Sequence, residues 1–282
     1  MFEDADGAVP YLEAKRAVVA WSDPLCPEGA LPDILGSFVR EVGRRVCLVA
    51  VNEATTRAAL AAGFSALKIG EEPWFDLTTW QPPRGDAGKK YRWAVNHACR
   101  SGLEVTEEWQ AGEVEEVVGR WRAALRRPEP AGLMRTAPLE QAHAKRIFVA
   151  RRSGAAEAVL ACARLPAADG WYLEDLVRVP EAVNGATELL VAEALARLGG
   201  RSAAFALAPM QGLDRQLDPR ARWLGHLLAL TIRGFDRRYG FRAIARYEGR
   251  FLPTEWRPRY VAFLPALPRP AVVRAAVRHL TV

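Results

Sequence analysis

Residues 170–200 read GWYLEDLVRVPEAVNGATELLVAEALARLGG and indicate the fold class. The first ten residues form an apolar run typical of a strand. Pro180 ends this run, and Asn184-Gly185 predicts a turn. The remainder has the apolar spacing of a helix and ends at paired glycines, which are the preferred residues just after a helix. A strand that leads through one turn into a helix predicts an α/β fold.

Strands and helices alternate in the same way toward the N-terminus. The pattern predicts strands at 16–21, 46–51, 64–77 and 103–109, and helices at 31–45, 53–63, 89–102 and 111–127. The segment RRPEPAGLM at 126–134 combines two prolines with a glycine, which is typical of a linker. We therefore expect a domain boundary near residue 130, which divides the chain into domains 1–130 and 131–282.

The second half repeats this organisation. The pattern predicts a hairpin at 146–165, strands at 170–179 and 202–210, a helix at 220–240, strands at 241–251 and 257–265, and a closing helix at 270–280. This order resembles the acyltransferase domains of the GNAT superfamily, in which two central strands splay apart around the transferred acyl group. The resemblance implies a mixed central sheet, and it leaves the substrate open because one fold serves many reactions.

The charge of the chain is unevenly distributed. The net charge is +6, and the segment from Arg215 to the C-terminus holds fourteen arginines against four acidic residues. Such a segment suits an anionic partner such as nucleic acid, phospholipid or a phosphorylated ligand. The alternative is that these arginines are ordinary solvated cations.

Several classes of protein are disfavoured by the sequence. No run of 18 apolar residues is present, and the acidic N-terminus is unlike a signal peptide. The four cysteines and four histidines are scattered, which argues against a metal site. We therefore expect a cytoplasmic protein with reduced thiols and no bound metal.

The turn at 178–190, RVPEAVNGATELL, bears on the choice of donor. GNAT enzymes normally carry Arg/Gln-x-x-Gly-x-Gly/Ala here, and its backbone amides bind the coenzyme A pyrophosphate. This chain has only Gly185, and Pro180 removes an amide donor. A second glycine-bearing basic segment, RGDAGKK at 84–90, follows no clear strand. An acyl-CoA-dependent N-acyltransferase is therefore the disfavoured alternative.

Five segments together resemble one family. They are 68–77, 88–105, 174–195, 206–214 and 239–263. These segments are similar to the cytosolic catalytic domain of lysyl- and alanyl-phosphatidylglycerol synthases, the multiple peptide resistance factor family (DUF2156). The resemblance implies tandem GNAT-like domains that transfer an aminoacyl group from charged tRNA to a lipid hydroxyl, with charged tRNA as co-substrate and no further cofactor.

The resemblance implies roles for two residues of the opening stretch. The family has Asp-Leu-Met-Arg where this chain has Asp175-Leu176-Val177-Arg178, and these two charged residues line the aminoacyl pocket. A carboxylate suits the cationic α-amine, and a guanidinium suits the carboxylate or the 3′-terminal phosphate. The alternative is a structural ion pair, which would require a bend or bulge because positions i and i+3 of a regular strand face opposite sides.

Glu71 and Glu72 match a Gly-Glu-Glu element of the family. Adjacent strand residues point in opposite directions, so at most one of them faces a cleft. We expect one to line the pocket or act as general base, with Glu72 as the catalytic candidate. The free amides at Asn184 and Gly185 could bind the tRNA phosphate or an oxyanion, although a purely structural turn is the alternative.

The segment YEGRFLPTEWRPRY at 247–260 carries the remaining candidates. Glu248 stands where the family has a lysine, which puts the usual amino acid or acceptor in doubt and keeps open a module that binds without catalysis. Arg250 and Arg259 could neutralise phosphates of tRNA or of a lipid head group. Solvated strand-edge cations are the alternative for both.

These observations favour an aminoacyl-tRNA-dependent transferase. The predicted acceptor is phosphatidylglycerol or another lipid hydroxyl, with a small natural-product hydroxyl or amine as the alternative. The helix predicted at 270–280 could contact an anionic membrane peripherally, and Trp74 and Trp80 are candidate surface anchors.

Overall fold

The computed structural model describes residues 1–14, 17–43, 45–125, 135–219 and 241–265. The fold is mixed α/β, as the sequence predicts. Two compact units are present, and both are discontinuous along the chain. The first unit comprises residues 1–72, 207–245 and 257–282, and the second comprises 73–206 and 246–256. The chain passes from one unit to the other after residues 72, 206, 245 and 256, and none of these four borders lies near residue 130. The predicted linker at 126–134 lies outside the described residues.

The described residues of the first unit include short N-terminal strands, two helices in its N-terminal segment and most of the helix Phe241–Glu248. Its elements are β1 (Phe2–Asp4), β2 (Gly7–Val9), β3 (Tyr11–Ala14), β4 (Ala17–Trp21), α1 (Leu31–Val42), β5 (Arg45–Val51), α2 (Glu53–Ala61), the first part of β6 (Ser65–Asp76), β12 (Ala208–Pro209) and most of β13 (Glu255–Leu264). Strand β4 pairs parallel to β5, whereas β3 pairs antiparallel to β4 and β13 antiparallel to β5. The two-residue strand β12 pairs with β6.

The second unit is a mixed sheet covered by helices. Its elements are α3 (Lys89–Arg100), β7 (Leu103–Thr106), α4 (Ala111–Ala124), β8 (Lys145–Arg152), β9 (Ala155–Leu165), β10 (Gly170–Arg178), α5 (Ala186–Arg197) and β11 (Ser202–Phe205). The order is β11-β10-β9-β8-β7, with the end of β6 beside β11. Strands β10 and β11 pair in parallel, with helix α5 as the connection between them, whereas the other pairs described for this sheet are antiparallel.

The centre of the second unit is strand β9. Residues 157–162 of this strand are buried without a break, which is the pattern of a strand covered on both faces. Helices α4 and α5 both contact it. The predicted hairpin between β8 and β9 is confirmed, and its turn at Ser153 and Gly154 has positive φ angles of 52° and 83°.

One predicted strand is wrong. Residues 241–251 form helix α6 (Phe241–Glu248) followed by a 3-10 turn (Gly249–Phe251). The alternation of FRAIARYE suggested a strand, but alanine, arginine and glutamate favour a helix, and the buried positions Glu248 and Phe251 are not spaced by two. Residues 202–210, predicted as one strand, divide into β11 and β12.

The helices predicted at 220–240 and 270–280 lie outside the described residues, as does most of the arginine-rich segment. In the part of the chain that the structure describes, no helix is long and apolar enough to cross a membrane.

Candidate functional site

Strand β6 buries a lysine in the first unit. Lys68 is only 2 % exposed, although it stands in an otherwise apolar run. Its Nζ lies 2.5 Å from Oε1 of Glu71. A buried ammonium group is costly unless it is paired, so this contact explains how strand β6 tolerates the lysine.

Glu72, the next residue of β6, contacts a second cation of the first unit. Its Oε2 lies 2.6 Å from Nη2 of Arg259, whose Nη1 donates a hydrogen bond to Oδ2 of Asp23 at 3.0 Å. Burial alone would lower the pKa of Arg259, but Glu72 and Asp23 outweigh that effect and raise it. Arg259 therefore holds two carboxylates and is not free for a phosphate, unlike the role expected from the sequence.

We name Asp23, Lys68, Glu71, Glu72 and Arg259 the β6 charge cluster. It comprises the neutral pair of Lys68 and Glu71 and the triad of Asp23, Arg259 and Glu72, and this triad has two carboxylates against one cation. Both oxygens of Asp23 are engaged, because Oδ1 also accepts a hydrogen bond from the amide of Asn52 at 2.8 Å. Oε1 of Glu72, in contrast, has no hydrogen-bond partner among the residues described. The cluster can therefore offer one oriented carboxylate oxygen to a cationic ligand.

The segment after β12 packs directly on this cluster. Gly212 has a φ of +62°, and a side chain there would collide with Glu71 and Lys68. The side chain of Gln216 accepts a hydrogen bond from the amide of Lys68 at 2.8 Å, and the carboxylate of Asp218 accepts one from the amide of Ala66 at 3.2 Å. These contacts fix the backbone of β6 where it carries the charges.

In the second unit, Asp175 and Arg178 lie on opposite faces of β10. The strand has a bulge at Glu174, before Asp175, and pairs regularly with β9 from Asp175 to Arg178. The bulge therefore does not bring the two side chains together. Asp175 accepts a hydrogen bond from the amide of Ala137 at 3.1 Å, whereas Arg178 is exposed and lies 3.5 Å from the carbonyl oxygen of Ala182. The regular pairing disfavours the structural ion pair considered as an alternative.

Four amides of the turn between β10 and α5, those of Val179, Ala182, Val183 and Ala186, donate hydrogen bonds within the second unit. The amide of Val183 donates to the carboxylate of buried Glu157 at 2.9 Å, and that of Val179 donates to the carbonyl oxygen of Glu157 at 2.9 Å. The amides of Ala182 and Ala186 donate to carbonyl oxygens within the turn. The carboxylate of Glu157 also pairs with Arg152 at 2.6 Å, and because it accepts from the amide of Val183, that amide is not available to a pyrophosphate.

Gly185 has a structural role in the same turn. Its φ is +93°, and an added Cβ would meet the backbone carbonyl of Ala94 in α3. Only glycine permits this close approach of helix α3 to the start of α5. Asn184, the preceding residue, is part of the same turn. The structural interpretation of Asn184-Gly185 therefore has direct geometric support.

Arg250 and Glu248 also lie in the second unit. Nη1 of Arg250 is 2.5 Å from Oε1 of Glu188, a buried acid in the first turn of α5. The guanidinium of Arg250 also lies over the ring of Tyr247, and burial raises the pKa of that phenol. Glu248 is itself buried, so the replacement of the family's lysine by glutamate at this position lies in the interior of the second unit.

Sequence reasoning missed Asp23, Lys68 and Glu188. The signal available for Lys68 and Glu188 was a charged residue within an apolar strand or helix face, which predicts a buried ion pair. Asp23 carried no local signal. The surface role predicted for Trp74 is wrong, because Trp74 is buried. Trp80 is half-buried, and its indole donates a hydrogen bond to the carbonyl oxygen of Phe251 at 2.9 Å.

The sequence profile of the phosphatidylglycerol lysyltransferase C-terminal family matches residues 1–263. A search of curated protein sequences finds no significant match. The C-terminal DUF2156 domain of a protein designated a lysylphosphatidylglycerol synthetase from Agrobacterium fabrum superposes with a TM-score of 0.74 at 22% identity, covering 95% of this chain and 83% of that one.

L-PGS from Bacillus licheniformis gives a TM-score of 0.76 at 16% identity, covering 98% of this chain and 87% of that one. At these identities the structural likenesses show the fold, and they agree with the predicted GNAT-like α/β class. The family resemblance seen in the sequence is confirmed by the profile. The chain belongs to the phosphatidylglycerol lysyltransferase C-terminal family.

Proposed function

We propose that this protein transfers an aminoacyl group from charged tRNA to the hydroxyl group of phosphatidylglycerol or a related lipid. The observation that carries the proposal is the family match over residues 1–263. The β6 charge cluster supports it independently, because its excess carboxylate suits the cationic α-amine that every aminoacyl ester presents.

The reaction is an exchange of esters. The oxygen of the acceptor hydroxyl forms a bond to the aminoacyl carbonyl carbon, and the bond from that carbon to the 3′-oxygen of tRNA breaks. The proton of the acceptor hydroxyl passes to the released 3′-oxygen. The aminoacyl ester is already activated, so this exchange balances without another co-reactant.

Glu72 is assigned the role of holding the substrate amine through its Oε1. Arg259 orients that carboxylate through Oε2 and is therefore a positioning residue. In the second unit, the exposed guanidinium of Arg178 suits a phosphate of the tRNA, and Asp175 remains a proposed pocket residue. A second function, acyl-CoA-dependent transfer, is disfavoured because the amides of Val179, Ala182, Val183 and Ala186 in the turn before α5 already have acceptors.

The test is a transfer assay with the purified chain. Radiolabelled aminoacyl-tRNAs are offered with phosphatidylglycerol vesicles, with a total lipid extract, or with a small-molecule extract, and the labelled product is identified. We expect label in the lipid. If the label were found only in a small compound with a hydroxyl or amine group, the acceptor would be a natural product and not a lipid. If the chain transferred label only from radiolabelled acetyl-CoA and not from aminoacyl-tRNA, the proposal would be overturned.

The variant Glu72→Gln tests the proposed amine site. Loss of a charge-assisted hydrogen bond of about 1.5–3 kcal/mol corresponds to a roughly 10- to 150-fold drop in kcat/KM. Glu115→Gln on the exposed side of α4 is the matched control and should retain wild-type transfer. If Glu72→Gln and Glu115→Gln were equally active, Glu72 would not bind the substrate amine.

A further inference from the structure

The solvent-facing side of α3 carries an aromatic pair among cations. Trp93 is 61 % exposed, an unusual position for the largest apolar side chain. Its ring is stacked on that of His97, with centroids 5.3 Å apart and planes inclined by only 2°. The flat outer face of the indole is therefore available to a further planar group.

Cations surround this pair. Lys89, Lys90 and Arg100 are exposed on the same helix, and their charged groups form no ion pair with any residue in the described ranges. Helix α3 has no acidic residue. We name Lys89, Lys90, Trp93, His97 and Arg100 the α3 platform.

The platform rests on a rigid support. The opposite side of α3 buries Tyr91, Ala94 and Ala98, and the helix packs against α5. The approach of Ala94 to Gly185 brings the two helices together at the start of α5. An exposed tryptophan on a well-packed helix loses little conformational freedom when a ligand binds.

We propose that the α3 platform binds single-stranded RNA, namely the unpaired 3′ end of the charged tRNA; this deepens the proposed function and rests on it. A base stacks on the outer face of Trp93, because every base has a planar face that can stack on an aromatic ring. The lysines and Arg100 neutralise the neighbouring phosphates.

The composition of this surface favours RNA over a lipid bilayer. A helix that lies in a membrane interface buries a broad apolar face, whereas the exposed side of α3 consists of lysine, asparagine, histidine, cysteine and arginine around one tryptophan. Stacked rings together with unpaired cations are the combination found where single-stranded nucleic acid binds.

The binding test uses uncharged tRNA and needs no catalysis. Fluorescence anisotropy measures the Kd of the full-length chain for intact tRNA and for the same tRNA lacking its unpaired 3′ nucleotides. We expect Trp93→Ala to weaken binding of intact tRNA about tenfold. It should not change binding of the shortened tRNA, and Trp93→Phe should restore most of the affinity.

Control variants test whether the changes in tRNA binding are specific to the α3 platform. Leu252→Ala removes an exposed apolar side chain elsewhere and should leave the Kd unchanged. Lys89→Ala should reduce the salt dependence of binding by about one phosphate contact. Arg57→Ala on α2, where the arginine is paired with Glu53, should not reduce it.

The outcomes distinguish the inference from the proposed function. Trp93→Ala with wild-type affinity for intact tRNA overturns the platform, whether or not the chain transfers aminoacyl groups. Loss of binding to phosphatidylglycerol vesicles with unchanged tRNA binding overturns it in favour of a membrane contact. Loss of tRNA binding in Trp93→Ala supports the platform even if the wild-type chain transfers nothing, which would refute only the proposed function.

Discussion

Strands β6 and β10 each carry two charged residues three positions apart, with different results. On β6, Lys68 and Glu71 form a buried ion pair. On β10, Asp175 and Arg178 lie on opposite faces, and Arg178 is exposed. The ammonium of Lys68 has almost no access to water and needs a carboxylate, whereas water solvates Arg178. Spacing alone therefore does not determine pairing: Lys68 and Glu71 meet although positions i and i+3 of a regular strand face opposite sides, whereas Asp175 and Arg178 keep the regular arrangement.

The largest expected effect comes from breaking the buried pair. Lys68→Met leaves Glu71 as an uncompensated charge, and we expect a loss of about 3–5 kcal/mol in the free energy of unfolding. Urea denaturation of the full chain measures it. The double variant Lys68→Met/Glu71→Leu should recover most of the loss, because it removes both charges. If the double variant were as unstable as the single one, burial of charge would not explain the pair.

A smaller effect is expected at Asp175. Its carboxylate accepts the hydrogen bond from the amide of Ala137, so Asp175→Ala leaves that donor without this partner. We expect a loss of about 1–3 kcal/mol in the free energy of unfolding, measured by the same denaturation. Asp175→Asn retains an acceptor oxygen and should lose less. If Asp175→Ala had the same free energy of unfolding as the wild type, this contact would contribute nothing to stability.

The smallest effect on stability is expected at Arg178. Its side chain is exposed, so Arg178→Ala should change the free energy of unfolding by no more than about 0.5 kcal/mol. If Arg178 contacts the tRNA, the same variant should lower transfer, with the larger change in KM. Arg178→Lys retains the charge and should be intermediate. Wild-type transfer by Arg178→Ala would remove this residue from the site.

Much of the fold could be predicted from local pattern. The passage from β10 through Gly185 into α5, the hairpin of β8 and β9, and helices α1 to α4 follow from periodicity, turn residues and helix-ending glycines. The prediction failed at 241–248, where an alternating pattern overlapped with residues that favour a helix. Local signals that agree with each other are reliable, and conflicting signals require the tertiary context.

The sequence by itself determined the family, the α/β class and which stretches carry the charged candidates. Only the tertiary structure decided their partners. Asp23, Glu72 and Arg259 meet although 236 positions separate the outer two, and no local pattern encodes such a contact. It also decided which charges are buried and which are exposed, because the amount of water left around a side chain depends on every element packed against it. That access to water is why Lys68 is paired and Arg178 is solvated.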